Sequence, residues 1–168
     1  LIDFDAYGTY DAVGVSVVNA NSVLNLNSTG YQKVAVFSTG IAGNDRTVSS
    51  TRKRVLTSYN KISFQFNKGG GVGGGWGEMP DIFEDVQLQY SIDGVSWVGF
   101  YTVNAVSYST PNYWYTATAD IPYLAKIETG GVFIRYIQFG PDGVGFDTWA
   151  LTSPTLEVLG YSGSTGYD

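Results

Sequence analysis

The chain has 168 residues, 43% apolar and 15% aromatic, which suits one domain with a real core and excludes intrinsic disorder. It holds neither cysteine nor histidine, so disulfides, thiolate zinc sites, thiol catalysis and the commonest general base are all excluded. The net charge of −6 is uneven, near +3 over residues 1–68 and −9 over 69–168, and so acidic a second half argues against nucleic acid or an anionic membrane as partner.

Any chemistry would therefore fall to carboxylates, Tyr, Ser/Thr or Lys, and any metal would be a hard cation held by oxygen. No window reaches 18 apolar residues, so membrane insertion is not expected. The chain opens on "LIDFD", without Met or a visible signal peptide, and is expected to be a processed product or a segment of something longer.

In chain order, "LIDFDAY" alternates like a strand, and "VGVSVVN" and "KVAVFST" are β-branched runs. The basic run Arg52-Lys53-Arg54, with Arg46 nearby, reads as a solvated strand edge or loop that discourages unwanted pairing. "KISFQFN" sets Ile62, Phe64 and Phe66 on one face and Ser63, Gln65 and Asn67 on the other. "KGGGVGGGWGEMPD" then breaks the pattern with seven glycines around Trp76, a loop costly in backbone entropy and a candidate binding surface. Glu78, Asp81, Glu84 and Asp85 follow it. They lack the Glu-x-Asp-x-Glu alternation of jelly-roll glucanases, so no enzyme is expected.

"DVQLQYS" puts Val86, Leu88 and Tyr90 on one face, and "SIDGVSW" follows as a turn. There Ser91 and Asp93 can bond nearby amides, Gly94 supplies a positive φ, and Trp97 packs back on the sheet. That gives Asp93 a structural task. Strands continue with "SWVGFYTV", "YWYTATADI", "GVFIRYIQF" and "DTWALTSPTLEVL". The loop "YSTPNYWYT" places Tyr108, Tyr113, Trp114 and Tyr115 together, rings suited to stacking on sugars or to a protein contact. Tyr101 is a further candidate.

About ten strands with no convincing helix predict an all-β, two-sheet antiparallel jelly-roll sandwich over residues 1–160, with 161–168 as a flexible tail or linker. Parity assigns Phe64, Phe66, Leu88, Tyr90, Val132, Ile134, Tyr136, Trp149, Leu151, Leu156 and Val158 to the core. Pro154 marks a bulge or edge where that parity changes, and the strand carrying Phe133, Arg135 and Ile137 is expected to be covered on both faces.

"SIDGVSW" resembles the Asp-box turn, Ser-x-Asp-x-Gly-x-Thr-Trp, of sialidase-like propellers and reelin-type repeats, one residue shorter and with Ser96 at the Thr position. No second copy occurs, which turns the reading away from a propeller. "DVQLQYSIDGVSW" and "GGVFIRYIQFGPDGVGFDTWALTSPTLEV" resemble the strand-turn-strand and closing hairpin of reelin-like jelly rolls, and "LIDFDAY" is similar to the first strand of reelin and MAM modules. The resemblance implies that first-strand carboxylates can take part in a structural Ca²⁺ site, here Asp3 and Asp5 with Asp142 and Asp147. This chain has Thr152 where relatives often carry an acidic ligand. Comparable cysteine-free modules recur in tailed-phage structural proteins. The resemblance thus implies a non-catalytic, virion-associated or extracellular module that contacts virion proteins or its own copies and could bind surface polysaccharide. The alternatives are a secreted or cell-surface carbohydrate-binding module, or a subunit of a self-assembling filament.

Overall fold

The computed structural model describes residues 1–20, 33–70, 77–141, 143 and 147–158, and over them strand is the dominant regular structure. Eleven strands are formed: β1 (Tyr10–Val13), β2 (Val15–Asn19), β3 (Lys33–Phe37), β4 (Arg46–Ser50), β5 (Tyr59–Lys68), β6 (Val86–Ser91), β7 (Val98–Val103), β8 (Tyr115–Asp120), β9 (Phe133–Gln138), β10 (Trp149–Leu151) and β11 (Thr155–Val158). One α-helical turn, α1 (Tyr123–Lys126), follows Pro122, and a 3-10 turn spans Ala105–Ser107, among the described residues.

All pairings are antiparallel, in two sheets. The first has the order β1-β4-β9-β6-β7. In the second, β5 is flanked by β8 on one edge and by β10 and β11 in succession on the other, and β3 and β2 follow β10. This is the expected jelly-roll sandwich. The chain crosses between sheets at Gly14, since β1 joins the first sheet and β2 the second. Gly14 takes φ +70°, and a Cβ there would lie 2.8 Å from Cγ of Arg46.

Phe64, Phe66, Trp149 and Leu151 of one layer meet Leu88, Ile134 and Tyr136 of the other in one core. Phe64 contacts Tyr136 edge-on at 5.1 Å between ring centres. Alternation predicted these residues because each strand has one buried face. Val158 departs from the expectation and is 70% exposed, while Leu156 is only half-buried; the β11–β5 register shifts between Glu157 and Val158. The interruption at Pro154 is bridged by Thr152, whose N–H donates to the Gln65 carbonyl at 2.9 Å and whose hydroxyl accepts the Gln65 N–H at 2.8 Å.

Two other expectations are corrected. "LIDFDAY" is a series of turns and not a strand. The Asp3 carboxylate accepts the Asp5 N–H at 3.0 Å, and Thr9 donates its hydroxyl to the Asp3 carbonyl at 2.8 Å, local bonds that compete with a ladder. Ile2 and Phe4 still enter the core. Arg46 does not join the solvated basic run: it is 1% exposed and donates to the carbonyls of Phe37, Thr39, Gly143 and Asp147 and to Oε1 of Gln138. Arg52, Lys53 and Arg54 are exposed, as expected.

Candidate functional site

Inward pointing of Val48, Leu88, Tyr90, Ile134 and Tyr136 forces their alternate neighbours onto the outer face of the first sheet. Strand register then aligns those neighbours in rows. One row runs Asp11, Ser49, Arg135, Gln89, Gly99; the next runs Val13, Thr47, Ile137, Gln87, Thr102. Phe133 lies opposite Ser91 in a third. Between β1 and the turn after β6 these rows form an open groove of about 350 Å³, lined by Asp11, Thr47, Ser49, Gly94, Trp97, Phe133 and Arg135 among others.

The polar side chains of this face are tied together. Arg135 Nε donates to Gln89 Oε1 at 2.7 Å, Gln89 Nε2 to Gln87 Oε1 at 2.7 Å, and Gln87 Nε2 to Thr102 Oγ1 at 3.1 Å. The Arg135 guanidinium carbon lies 4.2 Å from the centre of the Trp97 ring, a cation–π stack. Lys53 sits 5.7 Å from the centre of the Phe133 ring. Gly99 leaves room for this chain of bonds, since a Cβ there would lie 2.3 Å from Gln87 Oε1. Of the strand holding Phe133, Arg135 and Ile137, Ile137 is buried and the other two are half-buried, so the face is partly open.

Trp97 is set in place by the Asp93 turn. One carboxylate oxygen of Asp93 accepts the N–H groups of Val95 and Ser96, both at 2.8 Å, and the Ser91 hydroxyl at 3.0 Å; Ser91 Oγ accepts the Gly94 N–H at 2.8 Å. Gly94 adopts φ +78°. The amides of Ser96 and Val95, with the Ser91 hydroxyl, hold the Asp93 carboxyl below its ordinary value. The bonds of this oxygen are all made within the turn itself. The turn therefore acts through the indole it delivers to the groove.

Of the other predicted rings, Tyr108, Tyr113 and Tyr115 are brought together, Tyr115 lying 4.8 Å from each of the other two between ring centres, whereas Trp114 is apart from them. Tyr108 and Tyr115 are half-buried against Phe66, at 4.7 and 5.5 Å between centres. Trp114 packs with Val18, Val34, Val36 and Ala150 on the outer side of the second sheet. Tyr113 is 56% exposed and leans on Tyr115 at 4.8 Å. Trp76 lies outside the described residues. Sequence reasoning placed Trp97 in the architecture and passed over Gln87, Gln89 and Arg135 as a group; the visible signal was that "VQLQ" carries Gln at alternate positions and "FIRYI" sets one Arg opposite in parity to the core residues Ile134 and Tyr136.

With this geometry in hand, the family model described as Reelin subrepeat B matches residues 22–156. The chain belongs to that family. No curated protein gives a significant match. Among solved structures, this reelin subrepeat is similar to the carbohydrate-binding module TmCBM61 in complex with beta-1,4-galactotriose, at 15% identity and TM-score 0.52 over 90% of each chain. It is also similar to CBM27-1 of Caldicellulosiruptor saccharolyticus in complex with mannohexaose, at 12% identity and TM-score 0.55 over 89% of this chain and 91% of that one. A cyclase from Fischerella sp. TAU shares the fold at 18% identity and TM-score 0.52, over 88% of the subrepeat and 75% of the cyclase. Such identities establish the β-sandwich and nothing finer.

The acids of the subrepeat sit elsewhere. Asp3 and Asp5 occupy the exposed N-terminal turn, Asp147 is fully buried, and Asp142 lies outside the described residues. Among the described residues no three carboxylates gather in a way that could hold a metal, against the six to eight oxygens Ca²⁺ takes. Asp147 instead bonds the Glu84 carboxyl, beside Arg46. Burial first, then that bond and the carboxylates of Asp147 and Asp81, push Glu84 up to about 7, though the Asp81 N–H on its Oε2 pulls the other way. Thr152 occupies the position of the relatives' acid, fully buried and spent on the β5 backbone.

Proposed function

We propose that this reelin subrepeat is a non-catalytic module that binds polysaccharide on the outer face of its β1-β4-β9-β6-β7 sheet. The observation that carries the reading is the Trp97–Arg135 stack at the head of a hydrogen-bonded row, Arg135–Gln89–Gln87–Thr102, flanking an open groove. A sugar ring offers an apolar C–H face and a rim of hydroxyls; rings answer the first, and amides, hydroxyls and a guanidinium answer the second. Solved sandwiches of this fold in complex with galactotriose and mannohexaose support the same ligand class.

A catalytic reading has less support. Glu84, whose pKa is raised, bonds the Asp147 carboxylate, but Asp147 is fully buried and its backbone carbonyl is held by Arg46. Mounting on a virion or another extracellular surface, as an oligomer or not, would present the same face to glycans, and native mass measurement of the particle separates those settings.

Affinity electrophoresis of the subrepeat in gels containing β-1,4-galactan, β-mannan and pectic polysaccharides tests the proposal. Trp97→Ala is expected to weaken binding about tenfold or more, the loss of one aromatic stack at roughly 1.4 kcal/mol per factor of ten. Tyr113→Ala is expected to leave it unchanged. The reverse pattern would move the site to the Tyr113 loop, and no retardation in any gel would end the glycan reading.

A further inference from the structure

Arg135 makes a sharper assignment than neutral sugar. Its Nε–H is taken by Gln89, while its terminal nitrogens have no protein acceptor among the described residues. No carboxylate there lies in ion-pair range of it either; the ion pair formed is Lys61–Asp120, on the other sheet. A half-buried guanidinium normally finds a carboxylate, because desolvation is otherwise uncompensated, and burial here does lower its pKa. This one instead lies over Trp97, 4.2 Å from the ring centre, and is fixed at Nε through Gln89, Gln87 and Thr102. Its two remaining N–H edges are free for an occupant of the groove, with their geometry already set.

The surroundings agree in sign. Lys53 stands over Phe133 on the same face, in a chain of net charge −6. Asp11 opposes it from β1, two strands from Arg135 or about 10 Å at 4.8 Å per strand, with Ser49 between. Asp45 is the carboxylate whose field reaches Arg135, and its Oδ1 is occupied by the Gly140 N–H at 3.0 Å. A neutral saccharide needs hydroxyl partners, which Gln, Ser and Thr already supply. The guanidinium fork matches a planar carboxylate.

We infer that the groove selects a polysaccharide containing uronic acid, its carboxylate paired bidentately with the terminal nitrogens of Arg135 while the sugar lies along Trp97 and the Gln89–Thr102 row. The inference rests on the glycan reading above and names its ligand class.

Calorimetric titration with oligogalacturonate, its fully methyl-esterified counterpart and a sulfated neutral oligosaccharide tests it, since esterification removes the charge and keeps the ring. The acid form is expected to bind about tenfold tighter than the ester at low salt, the value of one charge-assisted bidentate contact. That ratio is expected to shrink as salt rises. Arg135→Gln should equalise acid and ester, and Arg135→Lys should lose most of the preference because a point charge replaces the fork. Lys61→Ala, on the far sheet, should leave the ratio intact. Equal affinity for acid and ester in the unaltered chain overturns the inference while leaving the glycan reading standing. Stronger binding of the sulfated chain overturns the carboxylate assignment, and no binding of acidic or neutral glycans overturns both readings. Tryptophan fluorescence, followed in the same titrations and compared with Trp97→Phe, separates occupancy of the groove from changes at the other three tryptophans.

Discussion

Replacing Glu84 by Gln should remove a specific pH dependence of stability. Glu84 ends the turn before β6, and its carbonyl accepts Nε1–H of Trp149 at 2.8 Å and Nε2–H of Gln138 at 3.3 Å, so its position is determined by the core. Its carboxyl is raised to about 7 by burial and by the bond to Asp147. Between pH 4.5 and 7 the folded chain therefore keeps a proton that the unfolded chain releases. This contribution is fully present below pH 4.5 and is lost as pH rises toward 7. A displacement from 4.5 to about 7 corresponds to roughly 3 kcal/mol at 1.36 kcal/mol per pH unit. Glu84 is only half-buried, and solvent screening reduces this to about 1–2 kcal/mol. The amide introduced by Glu84→Gln would keep a neutral donor toward Asp147 at every pH. Urea unfolding followed by tryptophan fluorescence at pH 4.5, 6 and 7.5 should give equal stabilities at pH 4.5 and an advantage of about 1 kcal/mol to E84Q at pH 7.5. Taking the difference between the two proteins cancels the other carboxylates. A difference that does not change with pH would refute the raised pKa of Glu84.

Arg46→Met should destabilise by about 3–5 kcal/mol, because it leaves buried carbonyls and the Glu84–Asp147 pair without their cation; thermal melts measure it. Thr152→Val should cost about 1–3 kcal/mol by stripping the Gln65 N–H of its acceptor, with a stable fold in Thr152→Ser as the control. Gly14→Ala should cost more than Gly8→Ala. Both have positive φ, but a Cβ on Gly14 strikes Arg46 while one on Gly8 meets open space, so the difference in urea midpoint isolates the clash. Asp93→Ala should lower glycan affinity together with Trp97→Ala and not in addition to it, as a double-mutant cycle would show, because the turn acts through the indole.

The strands and most of the core were legible in the residues alone. Phe64 and Phe66, Leu88 and Tyr90, Ile134 and Tyr136 recur at period two, and that local rule needs no knowledge of which strand pairs with which. The Asp93 turn was legible for the same reason, since all its bonds fall between residues 91 and 96. The failures are where local bonds competed with alternation, at Asp3 and Thr9, and where an edge strand slipped, at Val158.

The proposed binding face was a matter for the tertiary structure. Arg135 reaches Gln89 across 46 positions of chain, and Asp11 and Ser49 join their row only through the β1–β4–β9 register. Arg46, close in sequence to a solvated basic run, is buried because β4 carries it inward beneath carbonyls from loops around positions 39 and 143. Alternation tells which residues share a side of one strand; only the pairing of distant strands decides which strands, and therefore which side chains, stand next to each other.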